Sequence, residues 1–292
     1  MDVAPSYTQF GIPKNATYLL ANYPKFLNTA GALTVPIHFE RPWNETLNLL
    51  GQLNGVLFTG GHLDLYNEEI GTFHPYYDIS LRIIEYAKVL NGEGTHFPLF
   101  FICQGFQLLT IYSAGDPAAL GFSDGQNYVS NVDFLVEPSE TKFFKEFPKE
   151  ILENMSTQPL FNQNHGLGTL LSLWKEYPRL DEELVLIASS VDEDGLDVAT
   201  IAESRYFPFY AVLFHPERAS TDFSRLDVNH SEEAIQATLA MGNFFVNESR
   251  KNSRTFKDMK ELSKLLTEND RHWFGHSGTT GDVVDTYAYN RA

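Results

Sequence analysis

The chain has 292 residues, a formal net charge of -17, 43% hydrophobic residues and one cysteine. That charge argues against nucleic acid or an anionic membrane as partner, since both reward cations. A single cysteine excludes an internal disulfide, and no apolar run reaches the roughly 20 residues needed to cross a bilayer. An anionic small-molecule substrate stays compatible with an acidic chain that holds a local cationic pocket. The length suffices for a large buried core.

Residues 1–17 are polar and rich in Pro, Gly and Asn, which predicts a loop. Residues 18–30 carry Leu19, Tyr23, Phe26, Leu27 and Ala30 at helical spacing and stop at Gly31, which predicts a helix. A short strand over 33–37 and a short helix over 46–53 follow. Residues 55–58 read as a buried strand ending in Thr59-Gly60-Gly61-His62. Glycines at a strand's carboxyl end let backbone N–H groups approach a ligand closely, although an ordinary tight turn has the same composition. Residues 77–90 predict an amphipathic helix.

The apolar run 97–102 then ends abruptly at Cys103, with Gly105 two residues on and apolar residues at helical spacing after it. This reads as buried strand, sharp turn and helix, the nucleophile-elbow arrangement with Cys in place of Ser. The competing fate of such a cysteine is that of a small buried hydrophobe. Alternating helices and strands up to this point predict an α/β fold, a three-layer sandwich whose mostly parallel sheet is flanked by helices. Ligands on such sheets bind beyond the strands' carboxyl ends, where both Gly60-Gly61 and Cys103 fall.

Further on, residues 127–136 predict a strand and 141–152 a helix. The polar stretch 161–168, which includes His165, reads as a solvated loop. Residues 184–191 and 198–204 read as meander strands joined by Asp192-Glu193-Asp194-Gly195. Residues 207–214 form another buried strand, closed by His215-Pro216-Glu217. A long helix over 232–251, a helix over 256–266 and a final edge strand over 283–289 complete the chain. No repeat or linker is visible, so 1–292 reads as one domain.

Cysteine attacks as the thiolate, histidine serves as its base and a carboxylate orients the histidine. Cys103, His215 and Glu217 offer one candidate for each role, all at strand ends. The N–H groups of Gly61 and Gln104 are candidates for holding the developing oxyanion. Gly60, His62 and Gln107 are candidate substrate-binding residues. The histidines are scattered and no Cys pair exists, so no metal set is indicated. The glycine turn lacks a following Lys-Ser/Thr and is not a phosphate loop.

Cys103-Gln104-Gly105-Phe106 together with His215-Pro216-Glu217 resembles the class I glutamine-amidotransferase fold and, more closely, the γ-glutamyl hydrolases. The similarity also runs through Tyr23-Pro24-Lys25-Phe26-Leu27, Gly55-Val56-Leu57-Phe58-Thr59-Gly60-Gly61 and Phe244-Phe245-Val246-Asn247-Glu248-Ser249-Arg250. The resemblance implies Cys103 as nucleophile, His215 as base, Glu217 as the third member and His165 as a histidine near the substrate. It implies cleavage of γ-glutamyl amide bonds, chiefly those of folate poly-γ-glutamates, through an acyl-enzyme and without a cofactor. It further implies a lysosomal, vacuolar or secreted protein and a homodimer. Five N-glycosylation sequons, at Asn15, Asn44, Asn154, Asn229 and Asn247, agree with a secretory route, while the start shows no signal peptide.

Three features depart from the family's pattern. Phe101 stands where the family carries a small residue, so its ring must point away from the site or distort it. Gln107 replaces a Glu, which removes a charge near the nucleophile. Nothing corresponds to the family's apolar first strand, and a missing central strand leaves open ladder edges. These departures raise the alternative of a catalytically silent relative acting in binding or structure; a glutaminase subunit is a third reading, disfavoured by the absence of a synthetase domain and the closer match to the γ-glutamyl hydrolases.

Overall fold

The structure is a computed structural model that describes residues 16–223, 225–270, 272–276 and 283–290. The elements in chain order open with β1 (Ala16–Leu20), α1 (Asn22–Thr29), α2 (Trp43–Leu50) and β2 (Val56–Phe58). Then come β3 (Tyr66–Asn67), β4 (Thr72–Phe73), α3 (Pro75–Gly92), β5 (Leu99–Ile102) and α4 (Gln104–Ala114). The middle of the chain holds β6 (Gly121–Ser130), β7 (Asp133–Phe134), α5 (Lys149–Thr157), β8 (Phe161–Gly168), α6 (Leu171–Trp174) and α7 (Pro178–Glu183). The chain continues through β9 (Leu184–Val191), β10 (Asp197–Ser204), β11 (Phe209–Val212), α8 (Glu232–Ser249), α9 (Met259–Leu265), β12 (His272–His276) and β13 (Val283–Asn290).

A six-stranded sheet in the order β2-β5-β11-β10-β9-β7 divides the fold. β5 pairs in parallel with β2 on one side and β11 on the other, and the remaining pairs are antiparallel. The expected sandwich is therefore present with a mixed sheet, whose parallel half carries the three predicted strand ends. Successive residues of a strand face opposite layers. On β5, Leu99 and Phe101 enter the core under α3 and α4, while Phe100 and Ile102 enter the core under α1 and α8. The second core is strongly aromatic: Phe143 stacks on Phe144 at 4.3 Å between centroids and meets Phe100, Tyr210 and Phe244 within 5.7 Å.

β2 is the sheet's outer strand, and among the described residues nothing pairs with its free side. The helical layers run past it, with Ile83 of α3 and Phe245 of α8 on the walls of a cavity of about 610 Å³.

Several expected elements differ. The predicted helix over 18–30 is split: residues 16–20 form β1, whose apolar and β-branched run pairs antiparallel with β13, and α1 begins only at Asn22. Residues 33–37 have no ladder partner among the described residues and form no strand; Leu33 is exposed. The helix predicted over 141–152 starts only after Pro148, because the N–H groups of Lys142 and Phe143 donate to the Glu203 carboxylate at 3.0 and 2.8 Å. Residues 161–168 are not a solvated loop but strand β8, paired with β6 and mostly buried. β13 lies between β1 and β12 rather than at an edge. Of the predicted N-terminal loop, residues 1–15 lie outside the described residues.

Candidate active site

Three strands that run side by side deliver three turns to one place. β2 ends in Thr59-Gly60, β5 in Cys103 and β11 in Leu213-Phe214-His215. Cys103 takes φ 52° and ψ -104°, a region that L side chains seldom occupy. The surroundings impose this conformation. Its N–H donates to the Val212 carbonyl at 2.9 Å, its own carbonyl accepts from Gln107 N–H at 3.1 Å, and Gly105 lets α4 start against β2. A Cβ on Gly105 would lie 2.7 Å from the Phe58 carbonyl oxygen. Strain of this kind costs on the order of 1–3 kcal/mol and persists where the fold over-determines it.

Phe101 settles the first departure. Its ring points away from the sulfur and stacks on Phe58 at 4.5 Å and 3° between planes, in register on the adjacent strand. Gln107 is buried, and its amide nitrogen donates to the Leu167 carbonyl at 2.8 Å, which ties α4 to β8. Gln104 reaches the other way. Its amide donates to the Leu63 carbonyl at 2.7 Å and accepts from Leu63 N–H at 3.3 Å, fixing the chain after the glycine turn to the elbow.

His215 Nδ1 lies 2.7 Å from Glu217 Oε1, with both side chains buried. Two further hydrogen bonds hold the segment: His215 N–H donates to the Asn162 carbonyl at 2.9 Å, and Thr238 of α8 donates its hydroxyl to the Pro216 carbonyl at 2.6 Å. Burial and the nearby Arg218 cation both oppose charge on the imidazole. The Glu217 carboxylate and Cys103 outweigh them, and the His215 pKa rises to about 9. His215 Nε2 and Glu217 Oε2 are buried without a hydrogen-bond partner among the described residues. The imidazole ring lies close to Cys103: a Cβ on Gly60 would sit 3.0 Å from His215 Cε1 and 3.2 Å from Cys103 Cβ. The thiol itself is 3.9 Å from the Asn164 carbonyl of β8. Resting sites often hold such contacts longer than the reacting complex does.

Gly60 also answers for Tyr23, which sequence reasoning placed only as a helix residue. Gly60 N–H donates to the Tyr23 hydroxyl at 2.8 Å, and a Cβ on Gly60 would lie 2.5 Å from that oxygen. Burial, then the Glu217 charge and Cys103, raise the Tyr23 pKa far above its usual value, so the hydroxyl keeps its proton. The Gln104 N–H opens α4, where the first-turn donors have no helical acceptor. His62 is exposed on the turn, and its pKa is lowered by burial and by His215 and Arg218.

His165 lies on β8 opposite Gly125 of β6, where a Cβ would come within 2.3 Å of its ring. Burial, then His215, lowers its pKa to about 4, so it is neutral near pH 7. The Gln163 amide nitrogen donates to Ser130 at 2.9 Å, which leaves the Gln163 oxygen to accept from His165 Nε2 at 3.1 Å. That assignment places the imidazole proton on Nε2 and leaves buried Nδ1 as a free acceptor. Cys103, His215, Glu217 and Gly60 thus lie together, with Gly61 and His62 following on the turn and Gln104, Gln107 and His165 on the adjoining α4 and β8. Tyr23, Asn162 and Arg218 are the neighbours that local sequence did not disclose.

The model of the family described as Peptidase C26 matches residues 7–217, a span that holds Cys103, His215 and Glu217. Gamma-glutamyl hydrolase B of Dictyostelium discoideum is 30% identical over 266 residues, covering 91% of this chain and 75% of that protein. Gamma-glutamyl hydrolase 1 of Arabidopsis thaliana is 28% identical, covering 95% and 78%. Gamma-glutamyl hydrolase of Homo sapiens is 27% identical, covering 85% and 76%.

Proposed function

Since this chain belongs to the peptidase C26 family, we propose that it is a γ-glutamyl hydrolase that cleaves γ-linked glutamyl amides, such as folylpoly-γ-glutamates, through a cysteine acyl-enzyme. The observation that carries the reading is the convergence of Cys103, at a strained elbow, with a His215–Glu217 pair held at 2.7 Å. The Cys103 thiolate attacks the γ-carbonyl carbon beside the His215 imidazolium, whose pKa of about 9 keeps it protonated near pH 7. Glu217 holds the Nδ1 proton and stabilises that imidazolium. The backbone N–H groups of Gly61 and Gln104 stabilise the tetrahedral oxyanion. Collapse breaks the C–N bond, His215 hands its proton to the leaving amine, and a thioester on Cys103 remains. Water, deprotonated by His215, then attacks the thioester, and the thiol leaves with the regained proton.

In this reading His165 offers its free Nδ1 to a substrate N–H, and His62 lies at the rim. Gln107 is neutral and supports the site through its hydrogen bond to β8. An imidazolium favours negative charge on an adjacent sulfur, which suits an enzyme with a cysteine nucleophile. The test is glutamate release from a poly-γ-glutamate substrate. The wild-type protein is expected to release glutamate and the Cys103→Ala variant to release none above background; equal rates from both would reject the reading.

A further inference from the structure

Arg218 follows the His-Pro-Glu segment and is a buried cation, only 5% exposed. Its NH1 donates to Asn162 Oδ1 at 2.7 Å, the same residue whose carbonyl accepts from His215 N–H. One residue of β8 therefore holds both the His215 backbone and the Arg218 guanidinium. Among the described residues Arg218 forms no salt bridge, although it carries several further N–H donors. Asn162 turns its amide nitrogen to Asp227, whose carboxylate is engaged by Arg225, so that nearby acid is spoken for. Buried charges are ordinarily paired, because an unpaired one carries a large desolvation cost. The charge of Arg218 acts on His215, His62 and Tyr23, side chains from three separate parts of the chain, of which His215 and Tyr23 surround Gly60 together with Cys103. A cation at that position, on a chain with net charge -17, is a local exception to the protein's overall field.

We propose that Arg218 receives the α-carboxylate of the glutamyl residue whose γ-amide is cut, and thereby selects acyl groups that carry this anion over neutral ones. This rests on the γ-glutamyl hydrolase reading. In a γ-linked chain each glutamyl unit keeps a free α-carboxylate, two methylenes and Cα from the scissile carbonyl. A neutral amide, or an α-linked bond after a residue without a side-chain carboxylate, offers no such anion at that distance. Arg presents a planar fork that suits a carboxylate, and hydrogen bonds between charged groups are the strong ones. A site built around a buried polar group rejects an analogue that leaves the group unpaired.

The experiment compares two substrates: a 4-aminobenzoyl-capped γ-glutamylglutamate, and the same compound with the acyl-side α-carboxylate replaced by a carboxamide. The wild-type protein is expected to lose about 100-fold in kcat/KM on the carboxamide. Arg218→Gln is expected to lose a similar factor on the carboxylate substrate and to treat the two substrates within about threefold of each other. Arg218→Lys keeps the cation and is expected to retain part of the preference, which decides the matter if Arg218→Gln does not fold. Equal turnover of both substrates by the wild-type protein, or an undiminished preference in Arg218→Gln, overturns the proposal. A compound amidated only on the leaving glutamate separates the two carboxylates. If its turnover alone collapses, Arg218 does not read the acyl side. If the wild-type protein cleaves nothing, the hydrolase reading has failed, and Arg218 is judged by calorimetric binding to Cys103→Ala protein. Binding that needs the acyl-side carboxylate and Arg218 supports the assignment, and equal binding of the two compounds overturns it.

Discussion

Phe100 and Cys103 stand three residues apart and border the same core, yet their surroundings differ in kind. Around Phe100 the packing is complete. Its ring meets Phe143 edge-on and stacks on Phe245 at 5.4 Å, and the one polar group at that cluster, the Tyr210 hydroxyl, donates to Glu248 at 3.2 Å. Around Cys103 the backbone is strained, and buried atoms of His215, Glu217 and His165 lack partners among the described residues. Interiors are normally close-packed and their polar groups paired. The aromatic side follows that rule and holds the sheet. The rim breaks it at the point where a substrate would supply the missing partners. Stability and chemistry are thus separable between regions a few residues apart.

The largest expected effect comes from the rim. Cys103→Ala is expected to lower turnover by at least about 10⁴-fold, with the thermal midpoint unchanged. A variant that kept a tenth of wild-type activity would break the comparison. The next effect belongs to the other side. Phe143→Ala, in a fully buried aromatic stack, is expected to cost about 3–5 kcal/mol in denaturant unfolding, with kcat on the folded protein within about threefold of wild type. A fall in kcat without a fall in stability would mean that the two regions are not separable. Gly60→Ala comes third. Its methyl group collides with the Tyr23 hydroxyl and the His215 ring, and a displacement on this scale is expected to lower kcat by about 100-fold, with a smaller loss of stability. Unchanged kinetics would show that the glycine is not needed for close approach.

The smallest effect is on pH dependence, and the two buried histidines give it opposite signs. His215 has a folded pKa of about 9 against roughly 6.5 in an unfolded chain. Its contribution is full below about pH 6.5 and is lost as pH rises through 9. His165, at about 4, refuses a proton that the unfolded chain accepts, so its contribution fades as pH falls from about 6.5 towards 4. Thermal midpoints from pH 4 to 10 should peak between these limits. Glu217→Gln should flatten the alkaline limb and His165→Asn the acidic one, and a variant that flattened the wrong limb would sink the assignment.

Much of this was readable in the sequence. The run 97–102 ending at Cys103 and the strand ending in His215-Pro216-Glu217 stand as expected, because both signals are local: an apolar strand and an abrupt stop. β8 was misread because its residues are polar. Asn162, Gln163 and His165 are buried nonetheless, since Asp227, Ser130 and one another satisfy them across the fold. Tyr23 reads as an ordinary helix residue and Arg218 carries no local signal, and only contacts to Gly60 and Asn162, distant in sequence, reveal them. Phe101 carried an ambiguity that packing alone could resolve, through its stack on Phe58.

The central claim, that Cys103 carries the acyl group as a thioester, is tested most directly by adding hydroxylamine during turnover of a γ-glutamyl substrate. A thioester divides between water and hydroxylamine, so γ-hydroxamate should form in proportion to hydroxylamine, alongside glutamate release, and Cys103→Ala should give neither product. Glutamate release with no hydroxamate at any hydroxylamine concentration, or release that persists in Cys103→Ala, would contradict it.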